Sequence, residues 1–344
     1  MAEGVLTLDL QEMEEVDGID PVRFRREIVP RYEPVVLRGL IGEWPAVKAA
    51  QASPEDAAVY VQRFDRGAPV EAFVGPPEIR GRFFYADDLG GFNFERQRAK
   101  LADILRFLLA MRDDENARAV YVGSAPLPDI LPGFAAENAL SLLAGTDVVP
   151  RIWIGNSTIV STHFDESDNI ACVVAGRRRF TLFPPDQVGN LYVGPLDFTM
   201  AGQPASMVPL HDPDFERYPR FREALAHART AELGPGDAVY IPTLWWHNVE
   251  ALEPFNILVN YWWQDVPPDT GSAFEAMVHA IPTIGHLPDY QRAAWRAMFE
   301  NYVFRSDGDP AEHLPAGQRG ILADPTPELR QRIRQFLLRA LGRY

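Results

Sequence analysis

The segment 161–169, STHFDESDN, sets His163 two positions before the carboxylate of Asp165. On an extended strand alternate side chains share a face, so these two point together and could grip one metal ion. Such a pair arises often by chance on surface strands, and the reading needs a third donor. Of the 7 histidines, His247 is the other one in a strongly strand-like, apolar context, GPGDAVYIPTLWWHNV at 234–249. An imidazole among such neighbours needs a polar partner. Alone it reads as a core histidine with one hydrogen bond; beside the His163/Asp165 pair it reads as the third ligand. Two imidazoles and one carboxylate on one side of an octahedral ion form the facial set of non-haem Fe(II) oxygenases, with three positions open. A 2-oxo acid can take two of these and O2 the last. Structural zinc would want four protein ligands, usually with thiolates, and the chain has 1 cysteine, Cys172.

Ligands from distant stretches must be carried by a β framework. From about 118 to 263, short runs rich in Val, Ile, Tyr, Phe and Trp alternate with Gly, Pro and Asp breaks, which predicts an antiparallel sandwich or barrel. Residues 1–117 predict an α/β flank, with a short helix near 20, a strand over 34–40 and an amphipathic helix over 99–111. In that helix Leu101, Ile104, Leu105 and Leu108 fall at helical spacing. The core domain is set at 118–264, with a long polar insert at 186–232. Strand signals stop after it, and 265–344 predict helices. The last carries Leu329, Ile333, Phe336, Leu337 and Leu341 on one stripe, with Pro327 and Glu328 at its start. This appendage either packs on the barrel or joins two copies into a homodimer. The stretch 121–134, YVGSAPLPDILPGF, reads as an extended Pro-rich run at the barrel mouth.

The formal charge of −15, from 48 acids against 33 bases, weighs against a broad nucleic-acid surface. The N-terminal stretch has neither a basic nor an apolar leader pattern, and no window approaches a membrane span. A soluble cytoplasmic protein is the expectation. Trp245, Trp246, Trp262 and Trp263 read as core or rim packing before a stacking platform. His211, Asp212 and Asp214 are rival ligands, but their Pro- and Asp-rich surroundings favour turn chemistry.

Three stretches together, THFDESDNIACVVAGRRRFTLFPPDQ (162–187), GDAVYIPTLWWHNVE (236–250) and NILVNYWW (256–263), resemble the JmjC/cupin-like Fe(II)- and 2-oxoglutarate-dependent oxygenases, and within them the asparaginyl hydroxylases. The resemblance covers roughly 25–263 and includes PVVLRGLIGEWP at 34–45. It implies a mainly β fold, a double-stranded β-helix (jelly roll) with helices outside it and C-terminal helices that often form a dimer. It places His163, Asp165 and His247 on the iron ligands. Arg178, thirteen positions after Asp165, falls on the cation for the far carboxylate of 2-oxoglutarate. Asn169 and Asn260 fall on pocket asparagines, and Tyr121 on a tyrosine that holds the co-substrate.

A buried dianion needs a fixed cation, and Asn169 shares strand phase with the small Ala171 and Val173. Across the Ala175-Gly176 turn, spacing leaves open which of Arg177, Arg178 and Arg179 faces inward. Two positions depart from the asparaginyl hydroxylases: Arg178 replaces a lysine, and Val160 replaces a threonine whose hydrogen bond is worth about 0.5–1.5 kcal/mol. The expected function is a hydroxylase acting on a protein or peptide side chain or a small molecule, with no nucleic acid and no membrane as partner. The alternative is a cupin metal protein without oxygenase turnover, an isomerase or a ligand-binding barrel, and the position of Arg178 discriminates the two.

Overall fold

The chain is described over residues 10–342 by a computed structural model. Its first strands are β1 (Gln11–Glu12), β2 (Glu14–Asp17), β3 (Val35–Arg38), β4 (Pro69–Gly75) and β5 (Arg82–Phe83). Next come β6 (Glu95–Lys100), β7 (Ala119–Pro126), β8 (Arg151–Gly155), β9 (Ile159–His163) and β10 (Asp168–Ala175). The last are β11 (Arg178–Phe183), β12 (Arg229–Leu233), β13 (Ala238–Ile241), β14 (Trp246–Ala251) and β15 (Asn256–Trp263). They form a six-stranded sheet in the order β1-β12-β11-β14-β9-β5 and a nine-stranded sheet in the order β2-β3-β13-β10-β15-β8-β7-β4-β6. The two sheets make the jelly roll that the family resemblance implies, within the sandwich-or-barrel class that the strand pattern predicts.

Side-chain alternation explains the layering. On β10, Ala171 and Val173 join Phe180, Leu182, Leu233 and Leu258 in a core between the sheets. Ile170, Cys172 and Val174 point the other way, into a larger core shared with Phe24, Val47, Leu101 and Leu105 of the N-terminal helices. The helix Leu101–Ala110 buries the expected Leu101, Ile104, Leu105 and Leu108, each worth about 1.5–3 kcal/mol of apolar burial.

Two expectations need correction. The stretch 186–232 is not a solvated polar loop. Its Leu191, Val208, Leu210 and Phe221 pack with Phe183 and Trp246 on the outer face of the six-stranded sheet. It contains a helix, Phe221–Ala226, and ends within strand β12. Prolines and aspartates between its widely spaced apolar residues mask the period that either element would show. Likewise 121–134 is not extended throughout: after β7 come short helices Leu127–Ile130 and Phe134–Glu137, which bury Leu127, Ile130 and Phe134.

The turn joining β10 to β11 depends on Gly176, at φ +73. A Cβ there would stand 2.2 Å from the Asn256 Oδ1 and 2.7 Å from the Phe255 carbonyl oxygen. Gly176→Ala is expected to destabilise by about 2 kcal/mol or more, from left-handed strain plus the clash. Urea unfolding should show a lowered midpoint with unchanged slope.

Contacts divide the chain after Gln264. The second unit holds the helices Ala273–Ile284, Asp289–Phe299 and Pro327–Leu341, the last capped by the Thr326 hydroxyl accepting from the Leu329 N–H at 3.2 Å. Of its predicted stripe Leu329 is buried, whereas Phe336, Leu337 and Leu341 are exposed. Among the described residues no helix is long and apolar enough to cross a membrane.

Candidate metal centre

His163 ends β9 and His247 is the second residue of β14; the two are direct partners across this antiparallel pair. Their rings lie 4.3 Å apart. Asp165 lies two residues past the end of β9, not on a strand as the sequence predicts. The alternation nevertheless continues beyond the ladder. Phe164 packs edge-on against Trp246 on the outer face at 4.8 Å, and the Asp165 carbonyl accepts from the Leu244 N–H at 2.9 Å. One ligand atom from each of His163, Asp165 and His247 lies within 4.8 Å of the others, and no other such group occurs among the described residues.

The donors suit a divalent ion. His163 Nδ1 is 2.9 Å from the Ser161 carbonyl, and His247 Nδ1 is 3.0 Å from the Trp245 carbonyl. A carbonyl can only accept, so each Nδ1 carries a proton and Nε2 is the ring atom left for a metal. Burial, and next the neighbouring His163, push His247 down to about 4 against the pull of Asp165, so the ring is neutral near pH 7. Asp165 is 7 % exposed, its Oδ2 buried without a hydrogen-bond partner and 3.6 Å from His247 Nε2. A buried, orphaned carboxylate oxygen facing two aligned lone pairs is what a bound cation would satisfy.

A bulge sits beside this site. On β14, His247 and Val249 are two residues apart and oppose His163 and Val160, which are three apart. Ser161 and Thr162 supply the extra residue. Val160 and His163 consequently both border one cavity of about 490 Å³, with Tyr121, Trp153, Ser161 and Asp165 on the same wall. Val160 therefore lies where its lost hydroxyl would matter. Sequence reasoning missed Ser161 and Thr162, whose buried hydroxyls have no partner; a bulge has no signature in this segment. It also missed Trp153, which stacks on Tyr121 at 5.7 Å and donates to the Asn260 Oδ1 at 2.7 Å.

The three arginines separate cleanly. Arg177 pairs with Glu253 at 2.8 Å and Arg179 with Glu250 at 2.9 Å, both on the outer surface. Arg178 shares the inward phase of Phe180 and Leu182 and is 2 % exposed, with Nε and Nη2 unpartnered. Burial holds its pKa below the usual arginine value, opposed by Tyr121. Burial likewise raises the Tyr121 hydroxyl, while Arg178 lowers it. Asn260 Nδ2 donates to the Asn169 Oδ1 at 3.3 Å. His247, Arg178, Asn169 and Asn260 are buried and are not wall residues of the 490 Å³ cavity, in contrast to Tyr121.

The rival ligands take other partners. His211 lies 3.4 Å from Glu250, and the Asp214 carboxylate accepts from the Glu216 and Arg217 N–H groups as a turn residue. Trp245, Trp246 and Trp263 are core, whereas Trp262 reaches the cavity.

Comparison with known proteins agrees with this architecture. Residues 21–269 match the cupin-like domain. A tRNA wybutosine-synthesizing protein 5 from Gallus gallus is 24% identical over 314 residues, covering 80% of this chain and 89% of that protein. The lysine-specific demethylase JMJ31 of Arabidopsis thaliana is 38% identical over 104 residues, 30% of this chain and 18% of that one. HSPB1-associated protein 1 from Homo sapiens is 34% identical over 113 residues, covering 32% and 22% respectively. The chain thus spans most of the first relative and about a fifth of the other two. With the match extending over most of its length and the His-Asp-His cluster inside a jelly roll, the chain belongs to the cupin-like domain family, of the JmjC type.

Proposed function

We propose that this protein is an Fe(II)- and 2-oxoglutarate-dependent oxygenase that hydroxylates a protein or peptide side chain or a small molecule. The observation that carries the reading is Arg178. Its buried guanidinium lacks acceptors for Nε and Nη2, and by strand register Arg178 shares the inner face of the six-stranded sheet with His247. A buried cation with two free donors matches the far carboxylate of a 2-oxo acid chelated at the metal. Two of the relatives are named for different substrates, a tRNA base and a lysine, and the charge of −15 weighs against a polyanionic one.

When bound, iron and 2-oxoglutarate would supply reductive activation of O2, decarboxylation to succinate and CO2, and oxygen transfer to a C–H bond. The chain's own residues do the rest. His163 and His247 would present ring nitrogens to the ion, and Asp165 a carboxylate oxygen. Arg178 offers a two-pronged donor to the far carboxylate of the co-substrate. Tyr121 offers a hydroxyl whose pKa burial raises, with the Trp153 and Phe83 rings stacked beside it.

The test is anaerobic addition of Fe(II) and 2-oxoglutarate to metal-free protein. A metal-to-ligand charge-transfer band, and succinate once air is admitted, are expected; absence of both would leave the isomerase or binder. Val160→Thr restores the hydroxyl carried by asparaginyl hydroxylases. It is expected to lower KM for 2-oxoglutarate about 2- to 10-fold, the worth of one hydrogen bond. We also propose that two copies pair through the C-terminal helices, a reading supported by the exposed Phe336, Leu337 and Leu341. Sedimentation should return twice the chain mass of 38.6 kDa.

A further inference from the structure

The cavity that borders the metal cluster has a second cationic feature on its wall. Arg151, the first residue of β8, lines it together with Ser124 and Trp262. The β7–β8 ladder slips between Val122 and Ala125, and Ser124 in that bulge holds φ 51, the left-handed region a serine adopts only under strain. The strain has a visible result. Arg151 Nη1 donates to both the Ser124 carbonyl at 2.8 Å and the Ser124 hydroxyl at 3.1 Å. The guanidinium carbon also sits over the Trp262 ring, 5.8 Å from its centre.

Arg151 is thus fixed through one nitrogen and carries no ion pair among the described residues, although the chain has 48 acids to 33 bases. Its Nε and Nη2, which form one edge of the guanidinium, have no acceptor among the described residues. Arg96, the other cation on this wall, is already engaged by the Met200 carbonyl at 2.6 Å, by Glu71 at 3.5 Å and by the Phe73 ring. A planar fork held rigid on one side and open on the other matches the two oxygens of a carboxylate.

We infer that Arg151, steadied by Ser124 and Trp262, receives a carboxylate of the prime substrate, so that the substrates of this enzyme are carboxylate-bearing molecules. The inference rests on the oxygenase reading for the identity of the cavity. It assigns Arg151 to the prime substrate and Arg178 to the co-substrate.

The experiment uses the full chain loaded with Zn(II) and saturated with 2-oxoglutarate, with tryptophans labelled at the indole nitrogen. The Trp262 resonance is identified from Trp262→Phe. Acetate, acetamide and inorganic phosphate are the probes. Acetate is expected to shift the Trp262 resonance saturably and acetamide to leave it unmoved. Arg151→Gln should weaken the acetate response at least tenfold, with Arg151→Lys intermediate and the remaining indole resonances in place as proof of folding. No acetate response, an equal acetamide response, or an unchanged response in Arg151→Gln would overturn the assignment. Tighter binding of phosphate than of acetate would overturn the carboxylate class. A failed oxygenase reading shows separately, as a missing charge-transfer band with Fe(II).

Discussion

Asp165→Ala should abolish metal-dependent turnover while leaving the metal-free fold at least as stable as before. The carboxylate is buried, and its Oδ2 has no hydrogen-bond partner. In the metal-free protein that oxygen is a desolvated polar atom with nothing to accept from, and removing it costs no side-chain hydrogen bond. The metal-bound protein behaves oppositely. Losing one of three ligands should cost more than the 10–100-fold typical of outer-shell partners, so succinate formation should fall by about 10³-fold or more. Thermal unfolding with and without Fe(II) or Mn(II) checks both halves. Wild type should gain about 2.7 kcal/mol at a metal concentration 100 times Kd, and the variant should gain none. A variant that unfolds early without metal would show that Asp165 is a structural residue.

Arg178→Met is the second large effect. Truncating one partner of a buried, hydrogen-bonded charge pair costs about 2–5 kcal/mol, roughly 30- to 5,000-fold in kcat/KM for 2-oxoglutarate. The loss should appear mainly in KM for that co-substrate. Arg178→Lys should retain much of the activity, since lysine is what the asparaginyl hydroxylases carry there. In the empty protein the guanidinium has unpartnered Nε and Nη2, so the methionine variant should unfold no earlier than wild type. Unchanged kinetics in Arg178→Met would remove the argument against an isomerase or binding barrel.

The sequence was legible where one rule decided each residue. Strict alternation on β10 assigns Ala171 and Val173 to one face and Ile170 and Cys172 to the other, as observed. The helical spacing of Leu101, Ile104, Leu105 and Leu108 behaves the same way. The His163/Asp165/His247 cluster was legible because an imidazole in an apolar strand needs a partner and the His-x-Asp pair, weak alone, offers one. Legibility failed where backbone geometry changes the count. The Gly176 turn hides which arginine is inward, and the Ser161–Thr162 bulge puts Val160 and His163 on one side although they are three apart. The Ser124 bulge that orients Arg151 is equally silent in sequence. The insert was misread because its apolar residues serve a surface built by distant strands, so no local period records them.

Both metal-facing rings are steered by main-chain carbonyls of their own strands, two residues back, and by no carboxylate or amide side chain. No substitution can delete a carbonyl. Side chains at neighbouring positions can therefore change without removing the bond that orients either imidazole.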